Sequence, residues 1–266
     1  MTVAIIGAGV MGESLLSGLI RGGHEIADLV VGEKRRERAV ELREQYGVEV
    51  LANIDAAARA DTVALVVKPQ DMGEVLTEIA PHLRRGQVLI SLAAGITTDY
   101  IERHIPDGIA VVRVMPNTPA LVDEGMAAIS PGSHCDDDHL AEAEALMRSV
   151  GKVVRVPERQ QDAVTAISGS GPAYIYFVVE SMIEAGVHLG LPRATAHELV
   201  LQTVVGSAAM IRETGTHPVV LREQVTSPGG TTAAALRELE VHKVRAAFLA
   251  AIEAARDRSR ALAEGS

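Results

Sequence analysis

Two glycine-bearing stretches have the composition of anion-binding sites. In Ser227-Pro228-Gly229-Gly230-Thr231-Thr232, two glycines and two threonine hydroxyls stand immediately before an alanine-rich helical run, 233–240. A loop that tips into a helix there leaves the first backbone N–H groups unpaired under the positive end of the helix dipole, a cradle for a carboxylate or phosphate. Pro228 fixes the entry angle, glycine lets ligand atoms approach the backbone, and the hydroxyls donate or accept. A plainly capped helix start is the alternative reading. The second stretch, Gly7-Ala8-Gly9-Val10-Met11-Gly12, fits G-x-G-x-x-G and follows an apolar run that ends at Ile6. Leu15, Leu16, Leu19 and Ile20 then recur at helical spacing, so strand, glycine turn and helix follow one another as at the opening of a dinucleotide-binding βαβ unit.

The choice of dinucleotide turns on the residues after the second strand. Glu33 lies about twenty residues past the last glycine, where an acid binds the ribose 2′-OH of NAD(H). Lys34, Arg35 and Arg36 follow at once and could hold a 2′-phosphate instead, which tips the reading slightly to NADP(H) and leaves NAD(H) open. Strand ends of a doubly wound sheet face the ligand crevice, which singles out Val66-Val67-Lys68-Pro69, Leu92-Ala93-Ala94-Gly95 and Met115-Pro116-Asn117-Thr118-Pro119. Small residues at 93–95 would let a flat nicotinamide ring lie against backbone. Ser168-Gly169-Ser170-Gly171-Pro172-Ala173 opens an apolar helix and is a second possible anion-facing N-terminus, or simply a capped one. His134-Cys135-Asp136-Asp137-Asp138-His139 could suggest a metal site, but consecutive residues rarely converge on one ion and the aspartates suit a helix N-terminus; no metal is expected.

These residues need a scaffold. Apolar strand-like runs at 29–31, 62–67, 87–92 and 110–114 alternate with helical ones at 37–46 and 99–104, the pattern of an α/β, parallel, doubly wound sheet. Strands at 126–130 and 151–156, flanking a helix at 137–149, would extend it. After Pro157 almost every segment has helical periodicity, which predicts a dinucleotide-binding domain over 1–157 and an all-helical domain over 158–266. The runs 174–189 and 194–211 are apolar around most of their circumference, and about a hundred residues have too little interior to hide both; a twin subunit is the expected cover.

Composition narrows the function. With 266 residues, 47% hydrophobic and 23% charged, the chain is globular, and with four Tyr, two Phe and no Trp its core must be aliphatic. A net charge of −10 without a basic block argues against nucleic acid. One cysteine, no basic leader before the first strand and no bilayer-length apolar run make the cytoplasm the expected compartment and a membrane an unexpected partner.

Taken together, the glycine turn, Val67-Lys68-Pro69, Ala93-Ala94-Gly95, Met115 to Pro119, Ser168 to Tyr174 and above all Val225 to Thr232 resemble the Δ1-pyrroline-5-carboxylate reductase family along essentially the whole chain. The resemblance implies a Rossmann-type domain followed by a helical dimerisation domain, often with dimers assembled into a ring, and NAD(P)H-dependent reduction of the cyclic imine 1-pyrroline-5-carboxylate to L-proline. It implies that Ile6, Gly7, Ala8, Gly9, Val10, Met11 and Gly12 meet the pyrophosphate and that Asn53 meets the adenosine ribose. Val66, Val67, Lys68, Pro69, Leu92, Ala93, Ala94 and Asn117 would line the rest of the cofactor, with Lys34 and Arg35 at its phosphate rim. Gly229, Gly230 and Thr231 would hold the substrate carboxylate, with Ser170, Gly171 and Met115 nearby, and the Thr232 hydroxyl would bond the ring nitrogen. An imine can arrive protonated and needs only hydride at carbon, so no strong acid is required. Two rivals are a β-hydroxyacid dehydrogenase, which needs a lysine on the helix after Ser168-Gly169-Ser170-Gly171, where none of Lys34, Lys68, Lys152 and Lys243 sits, and a non-catalytic NAD(P)-binding regulator.

Overall fold

The structure, a computed structural model, describes residues 1–264. Among them a single eight-stranded sheet is formed by β1 (Val3–Ile6), β2 (Leu29–Gly32), β3 (Glu49–Leu51), β4 (Thr62–Leu65), β5 (Val88–Ser91), β6 (Ala110–Met115), β7 (Gly125–Pro131) and β8 (Gly151–Arg155), in the order 3-2-1-4-5-6-7-8. Every residue of β1, β2, β4 and β5 is buried, because helices cover both faces. On one face α1 (Val10–Arg21) and α2 (Arg36–Tyr46) bury Leu15, Leu19 and Leu42 against Val3 and Ile5. On the other, α3 (Asn53–Arg59), α4 (Met72–Ile79) and α5 (Thr98–Glu102) bury Ala56, Leu76 and Ile101 against Ala4 and Ile6. The first face is completed by α6 (Asp137–Arg148) through Leu140 and Leu146. Side chains of one strand thus alternate between two cores.

β1 pairs in parallel with β2 on one side and β4 on the other, so the strand order reverses there and a crevice opens beyond Ile6. The expectation of a parallel sheet holds through β6. β7 then runs antiparallel to β6, and β8 runs parallel to β7. The physical reason is loop length: only residues 116–124 separate β6 from β7, too few for a crossover back to the same end.

Two compact units divide the chain. One is Met1–Ser170 with the last helix from Ala255 on; the other is Gly171–Ala254. Within the first, α7 (Gln161–Val164) leads into a π-helical turn, Thr165–Gly169. The second contains α8 (Gly171–His188), α9 (Arg193–Thr214), α10 (Pro218–Gln224), α11 (Thr231–Val241) and the start of α12 (Val244–Glu264). Here α8 and α9 pack through small residues: a Cβ at Gly186 would stand 3.0 Å from that of Ala196. No residue of α8 is buried; Phe177 is 69% and Leu189 81% exposed, and Ile175, Tyr176, Leu199 and Met210 are also open. Apolar surface on that scale marks an interface. Among the described residues no helix is long and apolar enough to cross a membrane.

Candidate active site

The glycine turn is built as its three glycines require. Gly7 has φ +94°, and a Cβ there would lie 2.6 Å from the Val66 carbonyl oxygen; one on Gly12 would lie 2.1 Å from the Gly7 carbonyl oxygen. Gly7 therefore makes the tight turn and Gly12 lets α1 close on it. Gly9 meets nothing within 4 Å, so its face is open to a ligand, and with no side-chain cap the first N–H groups of α1 point at whatever lies there. This is the arrangement that accepts a pyrophosphate. Arg38 steadies it by donating from Nε to the Ala8 carbonyl oxygen at 3.1 Å, while its guanidinium also pairs with Glu13.

Backbone hydrogen bonds bring the strand ends into one row. The Gly7 N–H donates to Gly32 (3.0 Å), that of Val66 to Ile6 (2.8 Å) and that of Leu92 to Leu65 (2.9 Å). Beyond this row lies a cavity of about 430 Å³. Of the residues expected at a cofactor, Ile6, Gly7, Ala8, Gly9, Lys34, Arg35, Asn53, Val66, Val67 and Lys68 line it. Val10 and Met11 begin α1 beside it, and Pro69 opens the short turn Pro69–Asp71 that follows Lys68. Leu92 and Ala93 are buried at the end of β5 and Ala94 is exposed. The cavity wall also includes Gly32, Glu33, Asp71 and Glu74. A Cβ on Gly32 would stand 2.8 Å from Asn53 Oδ1, so Gly32 leaves room for that side chain. No motif marks Asp71 and Glu74; the sequence signal for them is the helical spacing of Met72, Val75, Leu76 and Ile79 after Pro69.

The acidic and basic groups of this wall are interlocked. The Glu33 side chain, 6% exposed, accepts from Arg35 Nε (3.0 Å), Arg35 Nη2 (2.9 Å) and the Arg35 N–H (2.9 Å). Burial works to raise its pKa, but these bonds, with a smaller contribution from the Ala8 backbone, hold it below the ordinary carboxylate range. Lys34 Nζ sits between Glu74 Oε1 (2.9 Å) and Glu78 Oε2 (3.1 Å), which push its pKa up. Asn53 Nδ2 donates to Glu78 Oε2 at 3.1 Å.

Past β6, Asn117 ties two segments together: its Nδ2 donates to the Ser168 carbonyl (3.1 Å) and its Oδ1 accepts from the Met126 N–H (2.8 Å). Met115 is close enough to Gly169 that a Cβ there would be 2.6 Å from Met115 Cε. Asn117 is thus brought beside the Ser168–Ser170 turn rather than into the cavity wall. The Ser168 hydroxyl is turned back from α8. Ser168 Oγ donates back to Val164 and the Ser170 N–H to Thr165, because the chain is already helical there and widens into a π-turn.

In the helical unit, Gly229 has φ +69° and turns the chain into Gly230, the N-cap of α11, which has no side-chain cap and no acid in its first turn. The Gly230 N–H donates to the Ser227 carbonyl at 3.0 Å, which leaves the N–H groups of Thr231 and Thr232, at the first two positions of α11, as the donors of an uncapped helix start. The Gly230 N–H, expected at the substrate carboxylate, is instead engaged by the Ser227 turn. The acidic and histidine cluster has structural work: Asp136 accepts from the N–H groups of Asp138 and His139, His139 Nδ1 accepts from the Asp136 N–H, and His134 pairs with Asp107.

Residues 158–262 match the family described as pyrroline-5-carboxylate reductase dimerisation, and residues 2–95 that described as NADP oxidoreductase, coenzyme F420-dependent. The pyrroline-5-carboxylate reductase of Corynebacterium melassecola is 46% identical over 265 residues, covering 98% of each chain. That of Mycobacterium tuberculosis is 44% identical, covering 98% of this chain and 96% of its own. Among solved structures, a pyrroline-5-carboxylate reductase from Coxiella burnetii matches with a TM-score of 0.94 at 38% identity, covering 98% of both chains. The Plasmodium falciparum pyrroline carboxylate reductase, solved with NADP bound, gives 0.88 at 31% identity over 99% of this chain and 98% of its own. The chain belongs to the pyrroline-5-carboxylate reductase family, oxidoreductases that reduce 1-pyrroline-5-carboxylate to L-proline with NAD(P)H in proline biosynthesis.

Proposed function

We propose that this chain performs the family reaction by holding the substrate carboxylate at the N-terminus of α11 and the dinucleotide on the Gly7–Gly9 turn. The observation that carries the substrate half is the uncapped start of α11 behind Gly229, with threonines at its first two positions and no acid in its first turn. Bound NAD(P)H supplies a hydride to C5 of the imine. The protein's own part is positional. Gly229 and Thr231 fix the carboxylate through their backbone N–H groups, with Gly230 turning the chain between them, and the Thr232 hydroxyl bonds the ring nitrogen, which arrives protonated, takes up the electron pair of the C=N bond as hydride adds at C5, and stays in the ring as the amine nitrogen of proline. Ser170, Gly171 and Met115 bound the same substrate.

On the dinucleotide side, the cavity-lining residues from Ile6 to Gly9 with Val66, Val67 and Lys68 hold the pyrophosphate and its neighbours, Gly12 closes the turn beneath them, and Asn53 faces the adenosine ribose. Val10, Met11, Pro69, Leu92, Ala93, Ala94 and Asn117 shape the same binding region from its margins. Residues 1–157 carry the dinucleotide and 158–266 the substrate loop and the dimer contacts. The open apolar side of α8 and α9 supports a homodimer, and a ring of such dimers is the next level proposed. A cytoplasmic location accords with the single unpaired thiol, Cys135.

The deciding experiment mixes the purified protein with 1-pyrroline-5-carboxylate and NADH or NADPH, follows loss of the reduced nicotinamide, and identifies L-proline. Dinucleotide binding without turnover would favour a regulatory protein and defeat the proposal.

A further inference from the structure

Lys34 and Arg35, the cations of the cavity wall that follow β2, are already held by carboxylates, while Lys68, the third, follows β4. Arg35 is clamped by Glu33 through two side-chain bonds of 2.9–3.0 Å. Lys34 is divided between Glu74 and Glu78. Arg38 is taken by Glu13, Glu41 and the Ala8 carbonyl. The remaining cation of the run, Arg36, is exposed at the first position of α2, outside the cavity wall.

Glu33 stands directly after β2, where the adenosine ribose of a bound dinucleotide places its hydroxyls. An ionised carboxylate there is an acceptor only. It fits the donors of a free 2′-OH and repels a 2′-phosphate, which brings up to two negative charges and no strong donor. To hold that phosphate, Arg35 would have to leave Glu33, or Lys34 would have to leave Glu74 and Glu78, and each exchange strands a carboxylate beside a new anion.

We infer that Glu33, backed by the Glu74 and Glu78 hold on Lys34, makes this chain select the dinucleotide with an unphosphorylated ribose, NAD(H), over NADP(H). The inference rests on the reading of this cavity as the adenosine end of the cofactor site. It reverses the slight lean toward NADP(H) that Lys34, Arg35 and Arg36 give when counted without their partners.

The test is direct binding to the full-length protein by calorimetry, using NADH, NADPH, ADP-ribose and 2′-phospho-ADP-ribose, with and without Glu33→Gln. The wild type should bind each unphosphorylated ligand at least ~10-fold more tightly than its 2′-phosphorylated twin, and Glu33→Gln should shrink or invert that ratio. Glu74→Gln combined with Glu78→Gln, which leaves Glu33 in place but frees Lys34, should move the ratio in the same direction. Equal or tighter binding of the phosphorylated ligands by the wild type overturns the inference, as does a ratio unmoved in both variants. Failure of all four ligands to bind would instead bring down the reading of the cavity itself, and the preference with it.

Discussion

Arg38 and Ala8 are joined across the mouth of the dinucleotide turn: the guanidinium of a residue on α2 donates to a carbonyl in the middle of the glycine loop, at 3.1 Å. The same guanidinium is anchored by Glu13, which also accepts from the Tyr46 hydroxyl at 2.9 Å. The loop's shape is thereby fixed from α1 and α2 together. Arg38→Leu should weaken dinucleotide binding by ~10-fold and cost about 1–2 kcal/mol of stability, because it leaves a partly buried carboxylate without its cation. Calorimetric Kd and thermal unfolding read the two effects separately.

Gly9 and Gly12 should fail in different ways. A Cβ on Gly9 meets no protein atom within 4 Å, so Gly9→Val should fold with nearly the parental Tm and lose most of its dinucleotide affinity. One on Gly12 meets the Gly7 carbonyl oxygen at 2.1 Å, so Gly12→Val should lower Tm by several degrees along with binding. Comparable Tm losses in both variants would contradict an open ligand face at Gly9.

Removing the Thr232 hydroxyl should reduce kcat by ~10- to 100-fold, the loss of one positioned hydrogen bond and no obligatory acid. Thr232→Ser should recover most of that. Unchanged kcat and KM in Thr232→Ala would remove this residue from the reaction.

Phe177, 69% exposed on α8, should lie under a partner subunit. Phe177→Asp places a charge in that contact and should shift the protein to a smaller species in sedimentation velocity, whereas Glu41→Lys, exposed on α2, should not.

Acidification should destabilise the nucleotide-binding unit through Glu33 and Glu13. Burial raises the pKa of each, but hydrogen bonds from Arg35 to Glu33, and from Arg38 and Tyr46 to Glu13, leave both depressed in the folded protein relative to 4.5. A depressed folded-state pKa means that the unfolded chain binds protons first, so this stabilisation is complete above the unfolded value and drains away as pH falls through the folded one. The Tm should be level near neutrality and decline below about pH 4.5, and Glu33→Gln should flatten part of that decline.

Much of the sheet was readable because strands buried on both faces are continuous apolar runs, as at Val3–Ile6 and Leu29–Gly32. β3 was not, since three residues with one side exposed carry almost no pattern. α4 does carry a pattern: Met72, Val75, Leu76 and Ile79 recur at helical spacing directly after a proline turn. That helix is what brings Glu74 and Glu78 to Lys34. Sequence position told which residues gather at the strand ends, because strand ends in such a sheet converge. It could not tell that Lys34 and Arg35 are already paired, because ion pairs between β2 and α4 depend on side-chain reach.

The backward course of β7 sets a constraint on everything downstream of it. The chain leaves β8 at Arg155, level with Val114 of β6, and then climbs beside β7, where Gln161 donates to Ala128 and Ser130, until Ser168 reaches Asn117. That ascent works as a screw of fixed pitch. One residue added to it would spin Gly169 by about 100° away from Met115, even though no binding group had been touched.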